Sequence, residues 1–177
     1  CGLGRVVRIC HLGARRKGGS KMDVTLLGAS QSPGRPELRL ACVIRADLGP
    51  AVEFVTTQGW VRAMFPIIGG QAIGQGWTAH ILPGGADFAI GLPDGSYAIE
   101  ARYCLEMADG TPVMVTNAGK MVTQPDGSYL GRTRATLEVP DGPHRALGEA
   151  VYFGTALAEA GDADHVYIEL WEAPVSA

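Results

Sequence analysis

Four Asp-Gly steps constrain this chain more than any other feature. They fall at Asp94-Gly95, Asp109-Gly110, Asp126-Gly127 and Asp141-Gly142, each beside a short run of alternating apolar and polar residues. Asp-Gly is the favoured centre of a tight hairpin turn because its backbone must adopt φ > 0, which glycine does at no steric cost. Helical periodicity is nearly absent between the steps, so the spacing predicts an antiparallel meander. Runs at 38–45, 53–64, 77–82, 87–91, 97–107, 112–117, 120–123, 128–139, 150–155 and 165–172 read as nine or ten strands. Helix is expected only in short pieces near 143–150 or 156–162. An open sheet of that many strands would leave two unpaired edges, and closure removes them. The expected fold is all-β: a closed antiparallel barrel, a calycin-like meander with room inside for one small ligand.

Charge narrows the partners. The first 21 residues hold six basic side chains and no acid, whereas the rest carries nine basic against eighteen acidic residues. Such an acidic surface repels a phosphate backbone, so nucleic acid is not an expected partner. Residues 1–21 are read as a basic leader, disordered or non-native sequence upstream of a start at Met22, with 22–177 as one barrel domain. Their apolar patches, Val6-Val7 and Ile9, are too short for a signal peptide. No run approaches the roughly 20 apolar residues of a membrane helix. Cys42 and Cys104 sit inside apolar strands and no CxxC occurs, which fits a reduced, cytoplasmic protein. The histidines at 11, 80, 144 and 165 show no metal-ligand spacing, and no nucleotide loop occurs, so neither metal nor cofactor is expected.

The chemistry-bearing residues cluster in the middle of the chain. Pro83-Gly84-Gly85-Ala86 precedes Asp87, and such glycines allow a bulge that re-aims the next side chain. Asp87 is either a site residue or the cap of its own turn. Alternation divides 97–105 into Ile99, Ala101, Tyr103, Leu105 on one face and Ala98, Glu100, Arg102, Cys104 on the other. Glu100 and Arg102 are then either an ion pair on a solvated outer face, or a base and an anion clamp inside the barrel. Asn117 is either a turn former or a ligand donor. Arg62, Trp77, His80 and Tyr103 complete the candidate substrate-binding set.

The ordered set Pro66-Ile-Ile-Gly-Gly70, Leu82-Pro-Gly-Gly-Ala-Asp-Phe88, Asp94-Gly95, Glu100-Ala-Arg-Tyr103, Asp109-Gly110 and Asn117-Ala-Gly119 resembles the DUF3237 (UPF0311) family over roughly residues 36–172. The resemblance implies a compact antiparallel β-barrel. This chain has Glu100 where the family usually has Asp, and Phe88 where it has Trp. Its Tyr152-Phe-Gly-Thr155 lacks the family's arginine, and a Trp-Leu-Asn stretch is missing. The resemblance, with Asp87, Arg102 and Asn117 retained, implies that those three line the lumen. The expected function is that of a cofactor-independent isomerase, cyclase or lyase on a small carbonyl metabolite, with Asp87, Glu100 and Arg102 as the catalytic group. The alternatives are a lipocalin-like binder of an apolar or aromatic molecule and a purely structural barrel. Strands apolar on more than one face further suggest a homodimer.

Overall fold

The computed structural model describes residues 24–34 and 36–174. The basic stretch 1–21 lies outside the described residues. Two compact units divide the chain at Arg35. Of the first, the described part contains one 3-10 turn, Val24–Leu27.

The second unit is built from nine strands. They are β1 (Arg39–Leu48), β2 (Val52–Val55), β3 (Val61–Gly74), β4 (Trp77–Gly91), β5 (Tyr97–Met107), β6 (Pro112–Thr123), β7 (Tyr129–Glu138), β8 (Tyr152–Ala158) and β9 (His165–Glu172). All neighbours pair antiparallel in the order β1-β9-β8-β7-β6-β5-β4-β3-β2. A further β1–β3 pairing closes the ring, so the barrel has eight positions. β1 and β2 share one of them: β1 pairs with the second half of β3 and β2 with its first half. One short α-helix, Ala146–Glu149, falls within 143–150 as expected. Residues 156–162 form the end of β8 and a turn instead of helix.

Several breaks read from the sequence are bends within continuous strands. β4 runs through Pro83-Gly84-Gly85, where three residues face the single residue Tyr103 of β5. Adding two residues leaves the alternation in phase, so Ile81 and Asp87 face the same side despite the bulge. β3 bends at Gly69-Gly70 beside it. Gly70 has φ +132, and a Cβ there would stand 2.1 Å from the Arg45 carbonyl oxygen. A Cβ on Gly85 would meet Tyr103 Cβ at 2.6 Å and the Arg102 carbonyl at 2.7 Å. The glycine pairs are thus close-approach positions that let two strands fold tightly over each other.

Inward side chains differ between the two ends. The end holding the 75–76, 108–111 and 139–151 connections is filled by Ile44, Leu105, Val113, Leu137, Tyr152 and Leu170, all nearly or fully buried. Leu105 and Val113 are direct cross-strand partners with no exposed surface. Truncating such a leucine typically costs 2–5 kcal/mol. Toward the other end several inward positions shrink to alanine, at 46, 89, 101, 156 and 158, between larger residues such as Phe65, Ile67 and Ile99. Small side chains cannot fill the ring there, and a lumen opens.

Candidate functional site

That lumen is a cavity of about 680 Å³ whose wall is mostly apolar. Its mouth is bounded by the β1–β2 link, the β6–β7 turn and the loop 159–164. Asp87, Tyr103 and Asn117 line it.

The register explains why these residues meet. Phe65, Asp87, Ala101 and Asn117 are consecutive cross-strand partners on β3, β4, β5 and β6. Strands lie about 4.8 Å apart, so Asp87 and Asn117 stand roughly 10 Å apart with only the Ala101 methyl between them. Tyr103, two residues along β5 from Ala101, faces the same way one step toward the filled end. A polar trough with a small-residue floor results.

Its electrostatics are unusual for a barrel interior. Burial pushes the Asp87 carboxyl up from 3.8 to about 6, partly offset by the Glu100 backbone N–H, which donates to Asp87 Oδ1 at 3.0 Å. Burial also pushes the Tyr103 phenol well above its ordinary range, with Cys42 adding to the effect, so it stays protonated as a donor. Tyr103 Oη and Asn117 Oδ1 are buried without a hydrogen-bond partner. Both residues are only 3% exposed. A buried polar atom without a partner costs on the order of 1–3 kcal/mol, so such atoms call for a ligand or water. Thr133 Oγ1 is a third such atom, in β7 between Gly119 and Gly154.

The remaining expected residues lie elsewhere. Glu100 and Arg102 are on the barrel's outside, with side chains 48% and 64% exposed, joined by a 2.6 Å ion pair. The expectation that they share the lumen with Asp87 is therefore corrected. The apolar set Ile99, Ala101, Tyr103 and Leu105 takes the inward face of β5, and period-two geometry sends the charged set out. Burying both charges in an apolar lumen would carry a desolvation cost that their attraction barely repays. His80 is exposed on β4, opposite Gln71 and Glu106. Arg62 lies next to the inward Ala63 and so points outward. Trp77 belongs to the filled end, packed over Gly74, where a Cβ would stand 2.1 Å from its indole. Of the eight expected residues, Asp87, Asn117 and Tyr103 come together. Asn117 lies within β6 and forms no turn.

The mouth contributes residues not anticipated from sequence. Tyr97 and Tyr129 each follow a Pro-Asp-Gly-Ser turn, and this five-residue segment occurs twice, at 93–97 and 125–129. In both turns the aspartate accepts hydrogen bonds from the serine N–H and hydroxyl. The two rings meet edge to face at 6.0 Å and line the cavity. Tyr97 Oη donates to Glu53 Oε2 at 3.2 Å. The repeat was the available signal. The second group is the loop Glu159–Asp164 with His165, whose Nδ1 lies 3.0 Å from Asp162 Oδ2. Among the described residues, no three His, Cys, Asp or Glu side chains converge as a metal site would require. No helix of the described residues is long and apolar enough to cross a membrane.

Comparison with known proteins agrees with this architecture. The family model described as a protein of unknown function, DUF3237, matches residues 36–173. The UPF0311 protein RPA1785 of Rhodopseudomonas palustris is 36% identical over 83 residues, 47% of this chain and 54% of the relative. The chain thus spans about half the length of the curated relatives it matches. The crystal structure of RPA1785, described as a conserved protein of unknown function, superposes with a TM-score of 0.71 at 28% identity, covering 80% of this chain and 99% of that one. A β-barrel-like protein of Acinetobacter baumannii gives 0.72 at 23% identity, covering 81% and 99%. A protein of Penicillium herquei described as an enzyme gives 0.65 at 18% identity, covering 82% and 100%. The last two likenesses show the fold alone.

Proposed function

This chain belongs to the DUF3237 family, and on that premise we propose that its lumen is the active site of a cofactor-independent enzyme of proton transfer acting on a small carbonyl compound. One observation carries the reading: a carboxyl whose pKa lies at about 6 faces a mostly apolar cavity beside two buried polar atoms that have no partner. A general base works best when its pKa lies near the working pH, and partial burial is the usual way to raise a carboxylate there. Asp87 takes a proton from the carbon next to the carbonyl. The electron pair moves to the carbonyl oxygen, and the enolate is held by the Tyr103 hydroxyl and the Asn117 amide turned to present its NH2. Preorganised donors of this kind are the largest single contribution in such chemistry. The protonated Asp87 then returns the proton at another position, which gives a net isomerisation. Expulsion of a β-substituent from the enolate gives elimination, and the reverse gives addition or ring closure. Glu100 and Arg102 take no part, because they face outward. That one structural relative is described as an enzyme accords with catalysis on this scaffold.

Solvent exchange tests this without the natural substrate in hand. A panel of aryl and cyclic ketones is incubated with the protein in D2O, and α-hydrogen exchange is followed by NMR. The expected result is exchange above the buffer rate for at least one ketone, lost in Asp87→Asn and reduced in Tyr103→Phe. Exchange that survives Asp87→Asn contradicts the role of Asp87. Binding without exchange favours the non-catalytic, lipocalin-like alternative.

A further inference from the structure

The charges around the lumen specify what kind of molecule enters it. Among the described residues, the cavity lining contains five carboxylates, Glu53, Asp87, Glu159, Asp162 and Asp164, and no lysine or arginine. His165 is the single basic group there, and it is engaged by Asp162 at 3.0 Å and lies 3.8 Å from Asp47. Two cations on the outer faces of β1 and β6 are committed to carboxylates outside the lining. Arg45 pairs with Asp47 at 2.8 Å, and Lys120 pairs with Asp94 at 2.8 Å. Between residues 36 and 177 the chain carries eight basic and seventeen acidic side chains, so the barrel unit as a whole has the same sign as its lumen. A cleft lined by one sign of charge with apolar walls focuses the field at its mouth. The site itself is marked independently of charge, by Tyr103 and Asn117, two lining residues that each carry a buried polar atom without a hydrogen-bond partner.

We infer that the lumen takes an apolar or aromatic ligand that is uncharged or carries a protonated amine, and that it excludes carboxylates and phosphates. This rests on the reading of the lumen as a ligand site. The ligand's apolar body lies against Phe65, Ile67, Ile99 and the alanines. An amine, where present, sits at the mouth between Glu53 and the 159–164 loop, with the Tyr97–Tyr129 ring pair at its side. A ligand carboxylate would enter against like charge with no guanidinium or ammonium to receive it, the arrangement by which sites reject a competitor.

Three probes with the same two-ring body test this: 1-naphthylmethylamine, 1-naphthylmethanol and 1-naphthoate. Binding to the whole chain is followed by NMR shifts of the Asn117 side-chain amide and the Tyr103 ring at low and high salt. The expected order is amine, then alcohol, then acid, with the amine at least about tenfold tighter than the acid at low salt. Raising the salt narrows that ratio. Glu159→Gln combined with Asp164→Asn removes two exposed charges from the mouth. Two carboxylates about 8 Å from a bound charge, acting through a water-like dielectric, account for roughly a tenfold change in the amine-to-acid ratio, and the variant loses that much. Naphthoate binding as tightly as the amine overturns the charge inference and leaves the site reading intact. If none of the three moves the Asn117 or Tyr103 signals, the reading of the lumen as a ligand site falls, and this inference falls with it.

Discussion

Replacing Asp87 with asparagine should make this protein more stable at neutral pH, and the size of the effect follows from the site. A carboxyl raised from 3.8 to about 6 binds its proton more tightly folded than unfolded. Below about pH 4 it is protonated in both states and the native state carries no penalty. Between about pH 4 and 6 the unfolded chain ionises first, so folding stability falls. Above about pH 6 the penalty is complete. At about 1.4 kcal/mol per pH unit, the displacement corresponds to about 3 kcal/mol. Asp87 is half-buried at an open cavity, where water relieves part of this, so about 2 kcal/mol is the expectation. Asparagine keeps an acceptor for the Glu100 N–H and carries no charge to desolvate. Urea titrations at pH 4, 6 and 8 should show the variant equal to the parent at pH 4 and about 2 kcal/mol more stable at pH 8. In a domain of this size that corresponds to roughly 4–8 °C in Tm. Asp94, held low by Lys120 and by its turn bonds to Ser96, and Asp109, held low by its bonds to Thr111 and His144, push stability the opposite way with pH, but they do so in both proteins and cancel from the difference. A variant no more stable than the parent at pH 8 would refute the reasoning. So would a gain that stays the same at pH 4. A residue whose removal stabilises the fold is kept for another reason, which is the expected trade-off at a functional site.

Other consequences are simpler to test. Gly70→Ala should destabilise by about 3 kcal/mol or more by denaturant titration, because it joins a strained φ to a clash with the Arg45 carbonyl. Arg102→Gln should change stability by no more than about 0.5 kcal/mol and leave any turnover unchanged, since it forms an exposed surface pair with Glu100. Asp94→Ala should lower stability at pH 7 by removing the bonds to Ser96 and Lys120. That loss should shrink below about pH 4, where the unfolded chain's carboxyl takes up its proton and the parent begins to lose the same contribution.

The hairpins were legible because Asp-Gly turns carry their own geometry, and Tyr97–Met107 reads directly from its flanking turns. Bends inside strands were not. Pro83-Gly84-Gly85 looks like a break, yet β3 and β5 on either side hold it as a bulge within one strand. Alternation divided β5 correctly into two faces, but it does not say which face is the lumen. Tyr103 and Arg102 are adjacent, so they could not both have been lumenal, and the aliphatic neighbours of Tyr103 decide the matter. Asp87 was legible because a bulge of two added residues keeps its phase. The mouth was harder to read. Its residues come from segments far apart in sequence, such as Glu53 of β2 and Glu159 of the β8–β9 loop, and only closure of the barrel brings them together. The repeated Pro-Asp-Gly-Ser-Tyr was the one local clue to that end.

Proton transfer in this lumen depends on Asp87 being poised to exchange a proton near neutral pH. A carbon-13 NMR titration of its side-chain carboxyl in the intact protein measures this directly. The expected result is an inflection near pH 6, with the Asn117 side-chain amide shifting over the same range. An inflection at or below the ordinary aspartate value of about 4 would contradict it.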